Sequence, residues 1–257
     1  MSERDRIYEA SSGSIDPFEF SDKVVRVFPD MIERSVPGYR QLLELTPLVV
    51  RQAAISNSLV YDLGCSLGAA TLAARRAIQA PGVKIIAIDN SPQMTARCQQ
   101  IVDDDNSSVP VDVVTADLCD YPIQRASVVM MYFTLQFIEP ARRDYIIKRV
   151  ASGLLPGGVL LLAEKLKFSS AEQAWMDHTH HAFKRAQGYS DLEIARKRQA
   201  LENVLIADGR DAHRQRLLSA GFAQVFDWFQ CLNFACFAAV KPGGDPEKPL
   251  DVEVADT

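Results

Sequence analysis

The residues with the most chemical meaning stand at the ends of short apolar runs. Asp62-Leu63-Gly64-Cys65-Ser66-Leu67-Gly68 follows Ser58-Leu59-Val60-Tyr61 and precedes a helix-like run from Ala69 to Arg76. Gly64 and Gly68 let backbone approach a ligand without a Cβ in the way. The backbone N–H groups of Cys65 and Ser66 are expected to face that ligand. Asp89 ends the run Lys84-Ile85-Ile86-Ala87-Ile88. A carboxylate there can accept hydrogen bonds from both hydroxyls of a ribose, with Asn90 beside it. Asp117 and Leu118 follow a third run, placed to take an adenine amino group and flank its ring, and Tyr132 lies at the end of a fourth. A strand, a glycine turn, a helix and then an acid ending the next strand form the arrangement by which α/β proteins hold a nucleoside cofactor.

Two cofactor classes compete for such a turn. Dinucleotides prefer GxGxxG, because the pyrophosphate needs backbone on both sides. Here four positions separate Gly64 from Gly68, and Asp62 precedes them. A carboxylate would repel a pyrophosphate but suits the ammonium end of S-adenosyl-L-methionine, directly or through a water. The spacing therefore favours S-adenosyl-L-methionine. Cys65 reads as a small packing residue in preference to a nucleophile, since no His–Cys pairing is visible. Tyr132 lies where the amino-acid end of the cofactor would pass, and reads equally well as a sheet residue packed on a helix. His178, His180 and His181 are poorly spaced for one helix face and have no partner ligands, so they do not make a metal site. Arg196-Lys197-Arg198 reads as a solvated helix face.

These residues need a scaffold that brings strand ends to one edge. Strands are expected over 59–63, 84–88, 111–115, 126–133 and 159–163, with helices between them. Ser91 is a helix N-cap with Pro92 at the first helical position. A helix from Pro140 to about Leu154 is ended by Pro156-Gly157-Gly158. This alternation predicts an α/β fold, a doubly wound and mainly parallel Rossmann-like sheet. A helix over 210–220 stops at Gly221, and runs over 222–228 and 231–240 predict a C-terminal antiparallel hairpin at the sheet edge. Such a strand pair agrees with the S-adenosyl-L-methionine reading. Ahead of the sheet, residues 18–54 carry Phe20, Val24, Val27, Phe28, Met31 and Ile32 at helical spacing. They form a helical cap, broken at Pro37-Gly38 and with Pro47 a start or kink, able to close over the ligand and exclude water. The domain organisation is then a tail and cap over 1–54, mobile up to about Ser14, and a cofactor domain over 55–241. An inserted helical segment occupies about 168–205, and the tail over 242–257 is disordered.

With 257 residues, 47% hydrophobic and 24% charged, the chain can bury a sizeable core. Its net charge of -5 argues against direct nucleic-acid binding. Five scattered cysteines without zinc-ligand spacing suit reduced thiols in the cytoplasm. Neither a signal core nor a membrane-length apolar run is present.

Several blocks carry a more specific resemblance. Val36-Pro37-Gly38-Tyr39, Tyr61 to Thr71, Ile88-Asp89-Asn90-Ser91-Pro92 and Phe133-Thr134-Leu135-Gln136-Phe137 resemble the carboxy-S-adenosyl-L-methionine synthases. So do His180-His181, Gly188-Tyr189-Ser190, Lys197-Arg198 with Leu201-Glu202-Asn203-Val204, and Trp228-Phe229-Gln230-Cys231. The glycine block is shared with many methyltransferases, whereas the later blocks are far more specific. The resemblance implies that S-adenosyl-L-methionine and prephenate give carboxy-S-adenosyl-L-methionine and phenylpyruvate. Prephenate loses carbon dioxide and hydroxide and becomes aromatic. The hydroxide takes a proton from the sulfonium methyl group, and that carbon takes up the trapped carbon dioxide. A dry, closed pocket is needed for this. The product, which can co-purify, serves a separate tRNA carboxymethyltransferase that modifies the wobble uridine. The resemblance also implies a homodimer. It assigns Tyr39 to the pocket wall and Gly64, Cys65 and Ser66 to the methionine portion. Asp89 and Asn90 go to the ribose, Asp117 and Leu118 to the adenine. Arg198 is the catalytic candidate, pairing with the new carboxylate and with a carboxylate of prephenate. The family has Asn where this chain has Tyr132, and an amide is not replaced one for one by a phenol.

Two rivals make different predictions. A conventional small-molecule methyltransferase transfers methyl groups and tolerates Arg198→Ala. A non-catalytic S-adenosyl-L-methionine-binding partner of a tRNA-modifying complex binds without turnover of prephenate.

Overall fold

The central apolar runs are buried on both faces, as strands of a sheet covered by helices must be. Val60, Leu63, Ile85, Ile88, Val128 to Met131 and Leu160 to Ala163 have essentially no exposed surface. A computed structural model of the chain describes residues 3–9 and 17–243. Its elements run α1 (Asp22–Ser35), α2 (Tyr39–Ala53), β1 (Leu59–Leu63), α3 (Ala69–Ala77), β2 (Lys84–Asp89), α4 (Pro92–Asp103), β3 (Val111–Thr115) and β4 (Ala126–Tyr132). After a short 3-10 turn at Leu135–Phe137 come α5 (Pro140–Gly153), β5 (Leu154–Lys167), α6 (Ser170–Ala186), α7 (Asp191–Leu201), β6 (Asp208–Gly209), α8 (Arg210–Ser219), β7 (Gln224–Cys231) and β8 (Phe234–Val240).

The sheet order is β3-β2-β1-β4-β5-β8-β7, with β6 pairing only β5. Strands from β3 to β5 are parallel, and β8 is antiparallel to both β5 and β7. The doubly wound sheet and its antiparallel C-terminal hairpin are therefore as expected. The chain winds one way from β1 to β3 and the other way from β4, so the switch point lies between β1 and β4. Ligands in such sheets bind in the crevice there. Ser91 caps α4, its Oγ accepting from the Met94 N–H at 3.3 Å.

Several boundaries differ from expectation: β7 runs to Cys231 and β8 begins only at Phe234, and two further cases have a clear cause. Pro156-Gly157-Gly158 does not separate α5 from a short strand. It forms an irregular entry to β5, where the register against β4 slips between Ala126 and Val128. β5 then runs on to Lys167 because β8 and β6 pair with its far half. Pro47 lies inside α2, not at its start. The start is set by Gly38, whose φ of +79° only glycine adopts easily and whose Cβ would stand 2.6 Å from Cys231 Cβ.

The cap is packed on the sheet's ligand edge. Val24, Val27 and Met31 of α1 cluster with Leu67 of the glycine turn and Met94 of α4. Leu42 and Val50 of α2 pack with Val60, Ala70 and Ala74. The start of the chain is more ordered than expected: Asp5 is buried. Its carboxylate accepts from the Tyr189 hydroxyl, and its carbonyl accepts from Arg34 at 3.2 Å. The rest of the N-terminal segment expected to be mobile, and the tail beyond Gly243 expected to be disordered, lie outside the described residues.

Candidate active site

A cavity of about 530 Å³ opens beyond the ends of β1, β2, β3 and β4, roofed by α1, the start of α2, α6 and α7. Tyr39, Gly64, Cys65, Ser66, Asp89, Asn90, Asp117, Leu118 and Tyr132 all line it. Arg198 does not. It lies exposed on α7, while its neighbour Lys197 faces the cavity, since consecutive helical residues point about 100° apart.

The glycine turn is shaped by close approach. Gly64 has φ +81°, and a Cβ there would stand 2.2 Å from Thr134 Oγ1. The N–H groups after it do not face the ligand as expected. Gly64 and Cys65 donate to the Ile88 carbonyl at 2.8 and 2.9 Å, and Ser66 donates to Asp89 Oδ2 at 2.9 Å. The turn is thus stitched to the end of β2, which is how a loop with a left-handed Ser66 (φ 49°) is held. Asp89 Oδ1 also accepts from the Ser91 N–H at 3.0 Å. Each Asp89 oxygen has one fixed donor and a further lone pair for a ligand hydroxyl. Burial raises this carboxyl, while the backbone donors pull it down. Asn90, beside it, is exposed.

Asp62 is almost fully buried and accepts from Thr71 Oγ1 at 2.6 Å. Burial lifts its carboxyl to about 6, with the Thr71 hydrogen bonds opposing and Asp89 adding to the rise. Among the described residues no cation forms an ion pair with it, so it suits a cationic ligand. Tyr132 is also buried. Its hydroxyl meets Thr46 Oγ1 at 2.8 Å, and Thr46 gives its own proton to the Leu42 carbonyl at 2.8 Å. Tyr132 is therefore the donor and ties β4 to α2. Tyr39 stands over this floor, its ring centroid 6.2 Å from that of Phe133. Burial raises its hydroxyl well above the usual phenol range, with Asp62 and Glu33 adding to it.

Asp117 is exposed at the cavity edge. Its Oδ1 accepts from the Cys119 N–H at 2.8 Å and its Oδ2 from Arg142 at 3.4 Å. The Cys119 N–H, and then Arg142, hold it below the usual carboxylate range against a smaller opposing effect of burial. Cys65 is buried, and the adjacent Cys98 thiol and burial push its own thiol well up. That state favours packing over nucleophilic attack.

Two cavity lysines, Lys165 and Lys184, lie outside the patterns read from the sequence. Lys165 of β5 and Lys184 of α6 face the cavity with Lys197 and His180. Burial brings Lys184 down to about 7, helped by Lys197 and Lys165. It brings Lys197 down to about 8, against the pull of Asp5. Lys197 is only 6% exposed, pairs with Asp5 at 3.7 Å and donates to Ser35 Oγ at 2.9 Å. The solvated-face reading of 196–198 therefore fails at its central residue. His180 Nε2 donates to the Ser35 carbonyl at 2.8 Å, leaving Nδ1 to accept from Asn233 at 3.2 Å. Burial lowers it to about 3, so it is neutral near pH 7. No group of metal-ligating side chains occurs among the described residues. Glu164, fully buried, accepts from the N–H groups of Thr134, Leu135 and Gln136 at 3.1, 2.8 and 3.0 Å. It thereby fixes the turn after Tyr132 that carries Phe133, Thr134 and Phe137 into the cavity wall.

The methyltransferase-domain family matches residues 60–158, from β1 into β5. Among solved structures, a putative S-adenosyl-L-methionine-dependent methyltransferase from Methanococcus maripaludis aligns with a TM-score of 0.57 at 19% identity. It covers 91% of this chain and 100% of that one. Human N-acetylserotonin methyltransferase in complex with SAM aligns with a TM-score of 0.59 at 17% identity, over 87% of this chain and 57% of that one. These likenesses concern the fold alone. Much nearer are curated proteins named carboxy-S-adenosyl-L-methionine synthase from Yersinia pestis (strain Pestoides F) and carboxy-S-adenosyl-L-methionine synthase 2 from Yersinia pseudotuberculosis serotype IB (strain PB1/+). Each is 47% identical over 242 residues, 94% of this chain and 91% of theirs. An identity this high along almost the whole length, cap and inserted helices included, means that the chain belongs to the carboxy-S-adenosyl-L-methionine synthase family.

Proposed function

We propose that the protein binds S-adenosyl-L-methionine in this cavity and, with prephenate, forms carboxy-S-adenosyl-L-methionine and phenylpyruvate. The observation that carries the reading is the 47% identity across 94% of the chain. The site fits the cofactor: Asp62 meets the ammonium group, Asp89 the ribose hydroxyls, and Asp117 with Leu118 the adenine. Its sulfonium supplies the chemistry by making the attached methyl acidic. Aromatisation of prephenate releases carbon dioxide and hydroxide. The carbon dioxide becomes the carboxylate on the methyl carbon, and the methyl proton leaves with the hydroxide as water.

The chain's own contribution is positioning and dryness. Phe18, Phe20, Phe28 and Phe137 line the roof. Phe20 packs edge-on against Phe18 and Phe137, with centroids 5.1 and 5.7 Å apart. An apolar lid of this kind keeps released carbon dioxide beside the methyl group and water away. Arg198 stands outside the cavity of its own chain, so its pairing with a carboxylate belongs to the homodimer, where a second copy supplies it. The product passes to a tRNA carboxymethyltransferase acting on wobble uridine. The acidic chain handles the metabolite, not the tRNA. All five cysteines are free thiols, in keeping with the cytoplasm. No helix among the described residues is long and apolar enough to cross a membrane.

The test is incubation of purified protein with both substrates, followed by mass spectrometry. A nucleoside heavier than S-adenosyl-L-methionine by one carboxyl group, formed with equimolar phenylpyruvate, is the expected result. Transfer of methyl groups to a small acceptor, with prephenate untouched, would instead make it a conventional methyltransferase.

A further inference from the structure

The cavity is divided by charge. Asp62, Asp89 and Asp117 line its walls at the ends of β1, β2 and β3, whereas Lys165, Lys184 and Lys197 line the wall made by β5, α6 and α7. The acids are accounted for by the cationic, hydroxyl-bearing ligand that they suit. The lysines are accounted for only in part. Lys197 has Asp5 and Ser35. Lys165 and Lys184 make no ion pair or side-chain hydrogen bond among the described residues, and both are half-buried. The carboxylate that favours their charge, Asp177, acts from beyond ion-pair distance and accepts from Gln173 at 3.0 Å. Glu33, at the cavity rim, already pairs with Arg40 at 3.0 Å.

Two like charges sharing a partly dry pocket are costly unless an anion joins them. Burial, and then repulsion from Lys197 and Lys165, bring Lys184 down to about 7. His180, between them and α1, is neutral and offers no negative charge. The chain thus presents two amino groups without an anionic partner on the cavity wall made by β5 and α6.

We propose that Lys165 and Lys184 are the seat for the two carboxylates of the second substrate. The proposal rests on the reading that this substrate is prephenate, a dianion. An ammonium group is a compact point charge on a flexible stem, so two of them can follow carboxylates that sit on different carbons of one ligand. Arg198, whose charge reaches Lys165 from outside the cavity, is left to the new carboxylate of the product.

The experiment is steady-state kinetics on wild type, Lys165→Met and Lys184→Met, with S-adenosyl-L-methionine affinity measured in parallel. Each substitution is expected to raise KM for prephenate by about 30-fold, or about 2 kcal/mol at 1.4 kcal/mol per tenfold. Affinity for S-adenosyl-L-methionine should stay within about threefold, which also reports an intact fold. Lys184→Arg and Lys165→Arg should recover most of the loss. Wild type loaded with S-adenosylhomocysteine provides a check that needs no variant. It should bind dianionic prephenate at least about tenfold more tightly than monoanionic phenylpyruvate. Unchanged KM in both Met variants, or equal binding of the two acids, overturns the seat. A wild type that makes no phenylpyruvate from prephenate overturns the functional reading itself.

Discussion

Asp62→Asn should make the ligand-free protein more stable and the working protein worse. Asp62 is 2% exposed and its carboxyl is lifted from 3.8 to about 6, chiefly by burial. A carboxyl raised on folding contributes its full stability below the unfolded value, and that contribution is lost as pH climbs through the folded value. The window here runs from about pH 4 to pH 6. Above it, the folded chain carries a buried charge at a cost of about 3 kcal/mol, at 1.36 kcal/mol per tenfold. Asparagine removes the charge and can still accept from Thr71, but its amide N–H groups lack an assigned acceptor, a loss of about 1 kcal/mol. The net gain at pH 8 is about 2 kcal/mol, a rise of roughly 4–8 °C in Tm for a chain of this size. At pH 4 the gain should vanish. Addition of S-adenosyl-L-methionine should reverse the order, because wild type gains the ammonium contact and the variant does not. Scanning fluorimetry at both pH values, with and without ligand, decides the matter. A variant whose ligand-free Tm falls equally at pH 4 and pH 8 would refute the buried-charge argument.

Other outcomes follow from single contacts. Gly64→Ala places a Cβ 2.2 Å from Thr134 Oγ1 at φ +81°, and should cost more than about 2 kcal/mol in denaturant melts, with loss of cofactor binding. Tyr132→Phe removes only the donor to Thr46, so stability should fall by about 1 kcal/mol while turnover stays near wild type. A large loss of turnover would place the hydroxyl on the substrate. Arg198→Ala should lower kcat by about 100-fold with KM for prephenate little changed, the scale of losing the partner of the new carboxylate. Mixing it with an Asp89→Ala chain should restore activity, since the arginine acts across subunits; no restoration would return it to its own chain. Glu164, raised by burial to about 8 from an ordinary 4.5, should make the protein lose stability as pH rises between those values. Glu164→Gln should flatten that slope in urea melts across pH.

The parts of the molecule that could be foreseen are those with a local code. Gly64, Gly68, Asp89 and the Ser91-Pro92 cap show as local patterns even where distant residues such as Thr134 require them, and the strand runs are continuous because both faces are covered. What escaped depends on distant partners. Lys197 looks like a surface charge beside Arg196 and Arg198, and the partners that hold it inside, Asp5 and Ser35, lie far off in sequence. The Cys65 and Ser66 amides look free for a ligand until Ile88 and Asp89 are seen to hold them. Pro156-Gly157-Gly158 reads as a stop because a slipped register against β4 leaves no trace in composition. Lys184 stands four residues after His180 on one face of α6, a pairing that spacing alone could have raised.

The contact between Asp5 and Tyr189 spans 184 positions. During synthesis the sheet strands through β5 can collapse while the first residues still lack their partner. Closing so long a loop is slow to be rewarded, since its entropy is spent before any contact repays it. The basic wall of the cavity needs Asp5, α1, α6 and α7 together, and β8, whose Phe234 pairs with Lys165, so it should form late. A nascent chain should acquire its nucleoside pocket first, and its means of holding a second, anionic ligand only once Tyr189 and Lys197 have emerged.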